Sequence, residues 1–307
     1  MIYETAMIEI IKNRFKQGYR TSNFPKENPE FPERFRGRPE VNQDLCASGC
    51  ADCLSVCPTQ ALQEGHNPEK KTLSLDMGRC LFCGECAKSC PEGAIVFTCN
   101  HRLAANQRED LLIQSQEAKL ATSLKEEMRR LFGRSLKLRQ VSAGGCSACE
   151  AELTALNNVV FDLGRFGIQF VASPRHADGL IITGPVTNHM KEALQLAYQA
   201  VPAPKIVIAI GACAISGGPF MDSKEHLGGA AALVPVDLFI PGCPPHPLTI
   251  LDGLLRLLGR LEEKIETIIS PSPLAGGRSI TSFPKMLRHA LASRVKAEGK
   301  GEGSINS

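Results

Sequence analysis

The sequence of 307 residues has no tryptophan, and aromatic residues make up only 5% of it. Ordinary cores must therefore draw mainly on the aliphatic part of a 43% hydrophobic content. No apolar run reaches the roughly 18–20 residues needed to cross a bilayer, which excludes a spanning helix. The first stretch, MIYETAMIEIIKNRFKQ, mixes charges among its apolar residues and so does not read as a secretory signal. A dominant charge is also missing. The net charge of +3 is close to neutral and gives no basic excess for binding nucleic acid. A chain about twice the usual single-domain length predicts two domains.

Cysteine is abundant, with thirteen in the chain. An odd count, tight C-x-x-C spacing and no signal peptide point to metal in a reducing cytosol rather than to disulfides.

Along the chain, residues 1–44 read as an amphipathic helix, with Met7, Ile10, Ile11 and Phe15 roughly on one side, followed by a proline-rich, charged arm that needs another surface to lie on. Residues 45–100 form a cysteine-rich unit. Residues 101–134 read as a helical connector, with Leu120, Leu124, Met128 and Leu131 at steps of three or four. Residues 135–262 alternate short apolar strands (LKLRQVSA, IQFVAS, GLIITG, KIVIAIGA, DLFIPG) with helical stretches, which predicts an α/β domain with a parallel sheet. Residues 263–307 read as a loose tail.

The cysteine-rich unit contains a repeat, with CASGCADCLSVCPTQAL echoed by CLFCGECAKSCPEGAIVF. Each copy puts three cysteines in a loop and a fourth before proline. In the ferredoxin arrangement, the fourth ligand of each cubane comes from the other repeat. The expected [4Fe–4S] sets are Cys46, Cys50, Cys53 and Cys90, and Cys57, Cys80, Cys83 and Cys86. Structural zinc is the alternative, since zinc sites also use C-x₂₋₄-C pairs. It rarely asks for three cysteines in one loop, twice, each with a trailing Cys-Pro. The first loop is C-x₃-C-x₂-C, one residue longer than the second. Gly49 can absorb the extra residue, and the Cys46 cluster is expected to be the more labile. Cys99 lies outside both patterns and reads as a buried free thiol.

In the α/β half, Cys146 and Cys149 follow one strand, and Cys213 and Cys243 each follow another. A parallel sheet brings such loops to one edge. A third [4Fe–4S] set is therefore expected there, with Gly144, Gly145, Gly211 and Gly242 allowing the backbone to come close. Helices beginning near Cys149 and after Cys243 would aim amides at an anionic cluster. Glu150 is either a carboxylate complementing a helix N-terminus or a proton relay. Arg175 and Asp178 are a candidate ion pair near the cluster or at an interface. His176 and His246 are not needed as ligands.

The stretches GGCSACEAELTAL, SPRHADGLIITGPVT, GACAISGG and PGCPPHPLTILDGLL resemble the small electron-transfer subunit shared by respiratory complex I and the membrane-bound, energy-converting [NiFe] hydrogenases. Residues 10–115, with FRGRPE and RCLFCGECAKSCP, resemble the ferredoxin-type subunit of formate hydrogenlyase. The resemblance implies a 2[4Fe–4S] ferredoxin-like α+β domain followed by a flavodoxin-like α/β domain, with the family's proximal cluster on Cys146, Cys149, Cys213 and Cys243. Complex I members usually have adjacent cysteines at the first ligand position and Arg where His246 stands. The separated Cys146-Ser-Ala-Cys149 resembles the hydrogenase branch, which often reads GCNGCE, so Ser147 and Ala148 depart mildly.

The implied function is electron transfer through three [4Fe–4S] clusters to or from a [NiFe] hydrogenase-type large subunit. Other implied partners are membrane subunits and a redox donor or acceptor protein, at the cytoplasmic face of the membrane. The chain has no Ni site and no complete substrate site of its own. The alternatives are a complex I-like NADH/quinone oxidoreductase subunit and, in a different class, a scaffold with structural metal.

Overall fold

The structure is a computed structural model that describes residues 2–46, 50–64, 72–114 and 119–261, with side chains from residue 8 onward. The extra loop residue expected to be absorbed at Gly49 and the C-terminal tail from 263 lie outside the described residues. Helix α1 (Ile2–Gln17) extends the expected first helix by a turn. Ile8, Ile10, Ile11 and Phe15 on it are all at least half exposed, so nothing among the described residues covers these four side chains.

The arm after α1 is tied to the second half of the chain. The Ser22 amide donates to Val160 O (2.9 Å), and Arg165 donates to the carbonyls of Ser22 and Phe24 (2.8 Å each). The arm ends in a strand, β1 (Pro39–Val41).

The two cysteine repeats fold alike. The first gives α2 (Asp52–Ser55) and β2 (Leu62–Glu64); the second gives β3 (Leu73–Asp76), α3 (Glu85–Ser89) and β4 (Ile95–Phe97). Strand β4 pairs antiparallel with β1, and β2 pairs antiparallel with β3. The second pair gains β5 (Leu112–Ile113) on its outer side, from the connector. Leu62, Leu73, Leu75, Ile95, Phe97 and Ile113 turn their apolar sides inward. Asp76 accepts both guanidinium nitrogens of Arg108 (2.8 and 2.6 Å) and the Gly78 amide (2.8 Å), which fixes the turn leading to Cys80.

The connector departs from its helical expectation. Among the described residues there, only α4 (Glu126–Phe132) is a helix of more than one turn. Earlier in the connector, Ala105 exchanges two backbone hydrogen bonds with Phe239 (3.0 and 2.8 Å), and Leu124 donates to Leu257 O (2.9 Å). These backbone groups have found partners on the neighbouring sheet and helix, and local leucine spacing does not outweigh that.

The second half holds five strands, β6 (Leu136–Ser142), β7 (Ile168–Phe170), β8 (Gly179–Thr183), β9 (Ile206–Ile210) and β10 (Leu238–Ile240). All pair in parallel, in the order β10-β9-β8-β6-β7. This is the flavodoxin-like order, with its switch point between β6 and β8. The central strands are buried along their whole length, which explains their continuous apolar runs. Helices α5 (Ala148–Ala155), α6 (Lys191–Ala200), α7 (Gly211–Ser216) and α8 (Pro247–Leu257) follow β6, β8, β9 and β10.

Every residue of α8 is buried. The connector lies over it; a Cβ on Gly253 would come 2.8 Å from Ala104 Cβ. Inside this shell Arg256 donates to Asp252 at 2.8 Å, with both side chains at least 95% buried. Breaking a buried pair on one side costs about 3–5 kcal/mol, because a charge is left without its partner. Arg256→Leu is expected to lower the apparent unfolding midpoint accordingly, and the double variant Asp252→Leu/Arg256→Leu to recover a large part of the loss. Equal midpoints for single and double variants would contradict this account of the pair.

Candidate metal centres

The repeat gathers its cysteines across the two copies. Cys46, Cys50, Cys53 and Cys90 line one cavity with Leu73 and Ile95; Cys57, Cys80, Cys83 and Cys86 line another with Leu75 and Phe97. Each trailing cysteine thus sits with the other repeat's loop. The copies also share a hydrogen bond. The Ala61 amide donates to Cys57 Sγ and the Ala94 amide to Cys90 Sγ, both at 3.2 Å. Both alanines follow their cysteine by four residues, after a proline that halts the helix. The Phe82 amide adds a bond to Cys80 Sγ (3.3 Å). Amides aimed at sulfur favour charge on it.

The third set forms at the carboxyl edge of the parallel sheet. Register explains why. Ser142, Thr183 and Ile210 are aligned across β6, β8 and β9, and Ile240 is aligned with Ile210. The loops bearing Cys146, Cys213 and Cys243 leave this row within four residues. Cys213 lies within α7, directly after its strand, rather than in an open loop. Gly211 has φ +86°, and a Cβ there would come 2.6 Å from Cys149 Sγ, so a side chain would close the space between the loops. Cys213 is buried and Cys149 half-buried, while Cys146 and Cys243 are exposed.

Burial pushes Cys80, Cys86 and Cys149 up to about 12 and Cys213 up to about 11, and neighbouring cysteines add to the rise in each set. Such thiols stay protonated alone. A cationic core shared by four of them removes the penalty, so the donor sets fit iron–sulfur clusters. Among the described residues no group of three or more His, Cys, Asp or Glu side chains is arranged to hold a single metal ion.

The second set adjoins both of the others. Cys53 adds to the rise at Cys86, joining the first set to the second. Burial, then Cys146 and then Cys83 raise Cys243, joining the second set to the third. A cavity of about 360 Å³ reaches both Cys83 and Cys243. Ser216 Oγ of α7 donates to Gly78 O (2.9 Å), two residues before Cys80, and fixes this junction.

Glu150, in the first turn of α5, accepts from Ser142 Oγ (2.6 Å) and Thr183 Oγ1 (2.7 Å). Burial alone would raise its carboxyl, but these bonds and its own amide outweigh burial and hold it below the usual range. His246 does not contact a ligand set as a donor; its Nδ1 accepts the Leu248 amide (3.1 Å) and caps α8. Asp178 stands at the amino end of β8, far along the strand from the cysteines. It accepts the Lys137 amide (2.6 Å), so the expected pairing with Arg175 near the cluster does not form. His176 closes a short 3₁₀ turn at the same end. Cys99 is part-exposed rather than buried.

Some features escaped sequence reasoning. Phe31 stacks on Phe35 (centroids 4.0 Å apart), and both meet the His246 ring edge-on. His101 is buried with no hydrogen-bond partner at Nε2 among the described residues, and burial first, then Arg102, His246 and Arg256, take it down to about 3. Arg36 donates to the carbonyl of Cys83. The FRGRPE stretch was visible as a motif, but nothing in it announced which cysteine it would reach.

Residues 146–257 match the family model described as NADH ubiquinone oxidoreductase, 20 Kd subunit, and residues 45–94 match a 4Fe-4S dicluster domain. Formate hydrogenlyase subunit 7 of Escherichia coli is 47% identical over 143 residues, covering 47% of this chain and 56% of the relative. The chain thus spans little more than half of that subunit's length. A probable membrane-bound hydrogenase subunit of Pyrococcus furiosus is 42% identical over 145 residues, 47% of this chain and 87% of the relative. An NADH-quinone oxidoreductase subunit of Heliobacterium modesticaldum is 43% identical over 121 residues, 39% of this chain and 69% of the relative. With its register-aligned cysteine loops and these relatives, the chain belongs to the NADH ubiquinone oxidoreductase 20 kDa subunit family, joined on one polypeptide to a 4Fe–4S dicluster domain.

Proposed function

We propose that this chain is the iron–sulfur electron-transfer subunit of a membrane-bound, energy-converting [NiFe] hydrogenase of the formate hydrogenlyase kind. The observation that carries the reading is the presence of three four-cysteine sets, the second adjoining both of the others and the third having two exposed members. Bound clusters supply one-electron carriers. The chain's own residues hold them, shape their spacing and exclude water on the inner side. In this reading Cys46, Cys50, Cys53 and Cys90 hold the first [4Fe–4S] cluster, Cys57, Cys80, Cys83 and Cys86 the second, and Cys146, Cys149, Cys213 and Cys243 the third. The exposed Cys146 and Cys243 face the catalytic large subunit, and a redox donor or acceptor protein meets the other end.

The runner-up is a complex I-like subunit that passes electrons toward quinone, supported by the similarity to the NADH-quinone oxidoreductase relative. The two-residue gap between Cys146 and Cys149 favours the hydrogenase branch. Nickel in the copurifying large subunit supports the hydrogenase reading; a nickel-free partner that reduces quinone overturns it.

No helix among the described residues is long and apolar enough to cross a membrane. The reading therefore places the chain peripherally, on the cytoplasmic face, with α1 as its contact to membrane subunits. The arm beyond α1 contains the buried Phe24 and strand β1, so the informative truncation removes residues 1–17 alone. It should release the chain from the membrane fraction with its clusters intact. Retention in the membrane at the level of the full chain contradicts the role given to α1.

For Glu150, the bonds to Ser142 and Thr183 favour an anchor that ties α5 to the strand ends. Glu150→Gln keeps an acceptor there and should retain most hydrogen-linked electron transfer. A loss of tenfold or more in Glu150→Gln, with its clusters intact, would instead identify a proton relay.

Anaerobic reconstitution should give about 12 iron atoms per chain, four for each cubane, with mild chelation emptying the Cys46 set first. Cys243→Ala should abolish hydrogen-linked activity while the electron paramagnetic resonance signals of the first two clusters persist. A wild-type count near eight would mean that the Cys46 loop holds no cubane, and normal activity in Cys243→Ala would remove the third station.

A further inference from the structure

Arg36 lies in the FRGRPE stretch, between two immobilised neighbours. On one side, Phe35 is stacked on Phe31 and meets the His246 ring at 5.6 Å. On the other, the Gly37 amide donates to Thr98 O (2.8 Å), and a Cβ on Gly37 would come 2.3 Å from Asn100 O, so the backbone is pressed against the segment that follows β4. Held from both sides, Arg36 projects from the arm to the second cysteine loop. Its Nη1 donates to the carbonyl of Cys83, and its side chain covers Gly84. Gly84 has φ +79°, and a Cβ there would approach Arg36 Nη1 to 3.1 Å. The guanidinium also lines the cavity shared by Cys83 and Cys243, together with Arg34 and a single carboxylate, Glu152.

We infer that Arg36 is a positioning residue whose charge, delivered at the Cys83 carbonyl, raises the midpoint potential of the cluster held by Cys57, Cys80, Cys83 and Cys86. The inference rests on the electron-transfer reading above. One-electron reduction adds one negative charge to the cluster and its thiolates. A fixed cation beside a ligand favours that reduced form over the oxidised one. Arg36 is solvent-exposed, so salt screens its field in part. The effect is therefore ionic-strength dependent, which simple packing over Gly84 would not be. The contact belongs to Cys83, so the second cluster responds most and the cluster near Cys243 less.

The test uses the full chain in its complex, with potentials read by redox titration monitored by electron paramagnetic resonance. The second cluster's signal is assigned by its loss in Cys80→Ala. Arg36→Met keeps the length without the charge; Arg36→Lys keeps the charge without the planar fork. The expected result is a more negative midpoint for the second cluster in Arg36→Met at unchanged iron content, a midpoint near wild type in Arg36→Lys, and a difference that narrows as salt is raised. A wild-type midpoint in Arg36→Met overturns the inference, as does an equal shift in Arg36→Lys or loss of the cluster in both variants. If the wild-type complex itself lacks the second cluster's signal, the electron-transfer reading fails, and this inference with it.

Discussion

Burying sulfur is the constraint on which the rest of the structure depends. Cys53, Cys80, Cys86, Cys149, Cys213 and Cys243 are hard to ionise where they lie, and in three of them burial drives the value to about 12. Only a shared cationic core makes such a set favourable. Ligand binding and folding are then parts of one equilibrium, as in small metalloproteins generally. The backbone around the first two sets is arranged for the same charge, through amides donating to Cys57, Cys80 and Cys90. The parallel sheet meets the constraint differently, by aligning its strand ends so that cysteines nearly a hundred residues apart leave from one row.

That demand also explains the segments between the domains. Cysteine sets that exchange electrons, as in the proposed function, need a fixed spacing between them. The arm is pinned to Val160 and Arg165, crosses the aromatic contact with His246 and enters the cysteine-rich half as β1, paired with β4. The connector pairs at Ala105 with the edge of the parallel sheet and then adds β5 to the other small sheet, beside β3. Both segments therefore touch both halves. Ser216 and Gly78 close the junction from inside, next to Cys80 on one side and on the helix of Cys213 on the other.

How much of this was legible in the sequence depends on the kind of signal. All five strands of the parallel sheet were readable, because continuous apolar runs ending in small residues have few other uses. The cysteine groups were readable because ligand chemistry repeats at fixed spacing. Leu120, Leu124, Met128 and Leu131 misled, since a helical step says nothing about partners offered by Phe239 and Leu257. Asp178 misled for a related reason. Proximity in sequence to a cluster strand does not say at which end of that strand a residue lies. The contacts of Arg36 and the aromatic clamp of Phe31 and Phe35 on His246 join positions more than two hundred residues apart in the second case, and no local pattern encodes them.

The pairing of Ala105 with Phe239 has a consequence for assembly. A dicluster module and a sheet module carried on separate chains would have to find each other from solution, against a loss of translational and rotational freedom on the order of 4–15 kcal/mol. Here the same docking is intramolecular, at an effective concentration set by the connector rather than by expression level. The stoichiometry of the modules is one to one by covalent necessity. A weak contact surface between them can thus be sufficient.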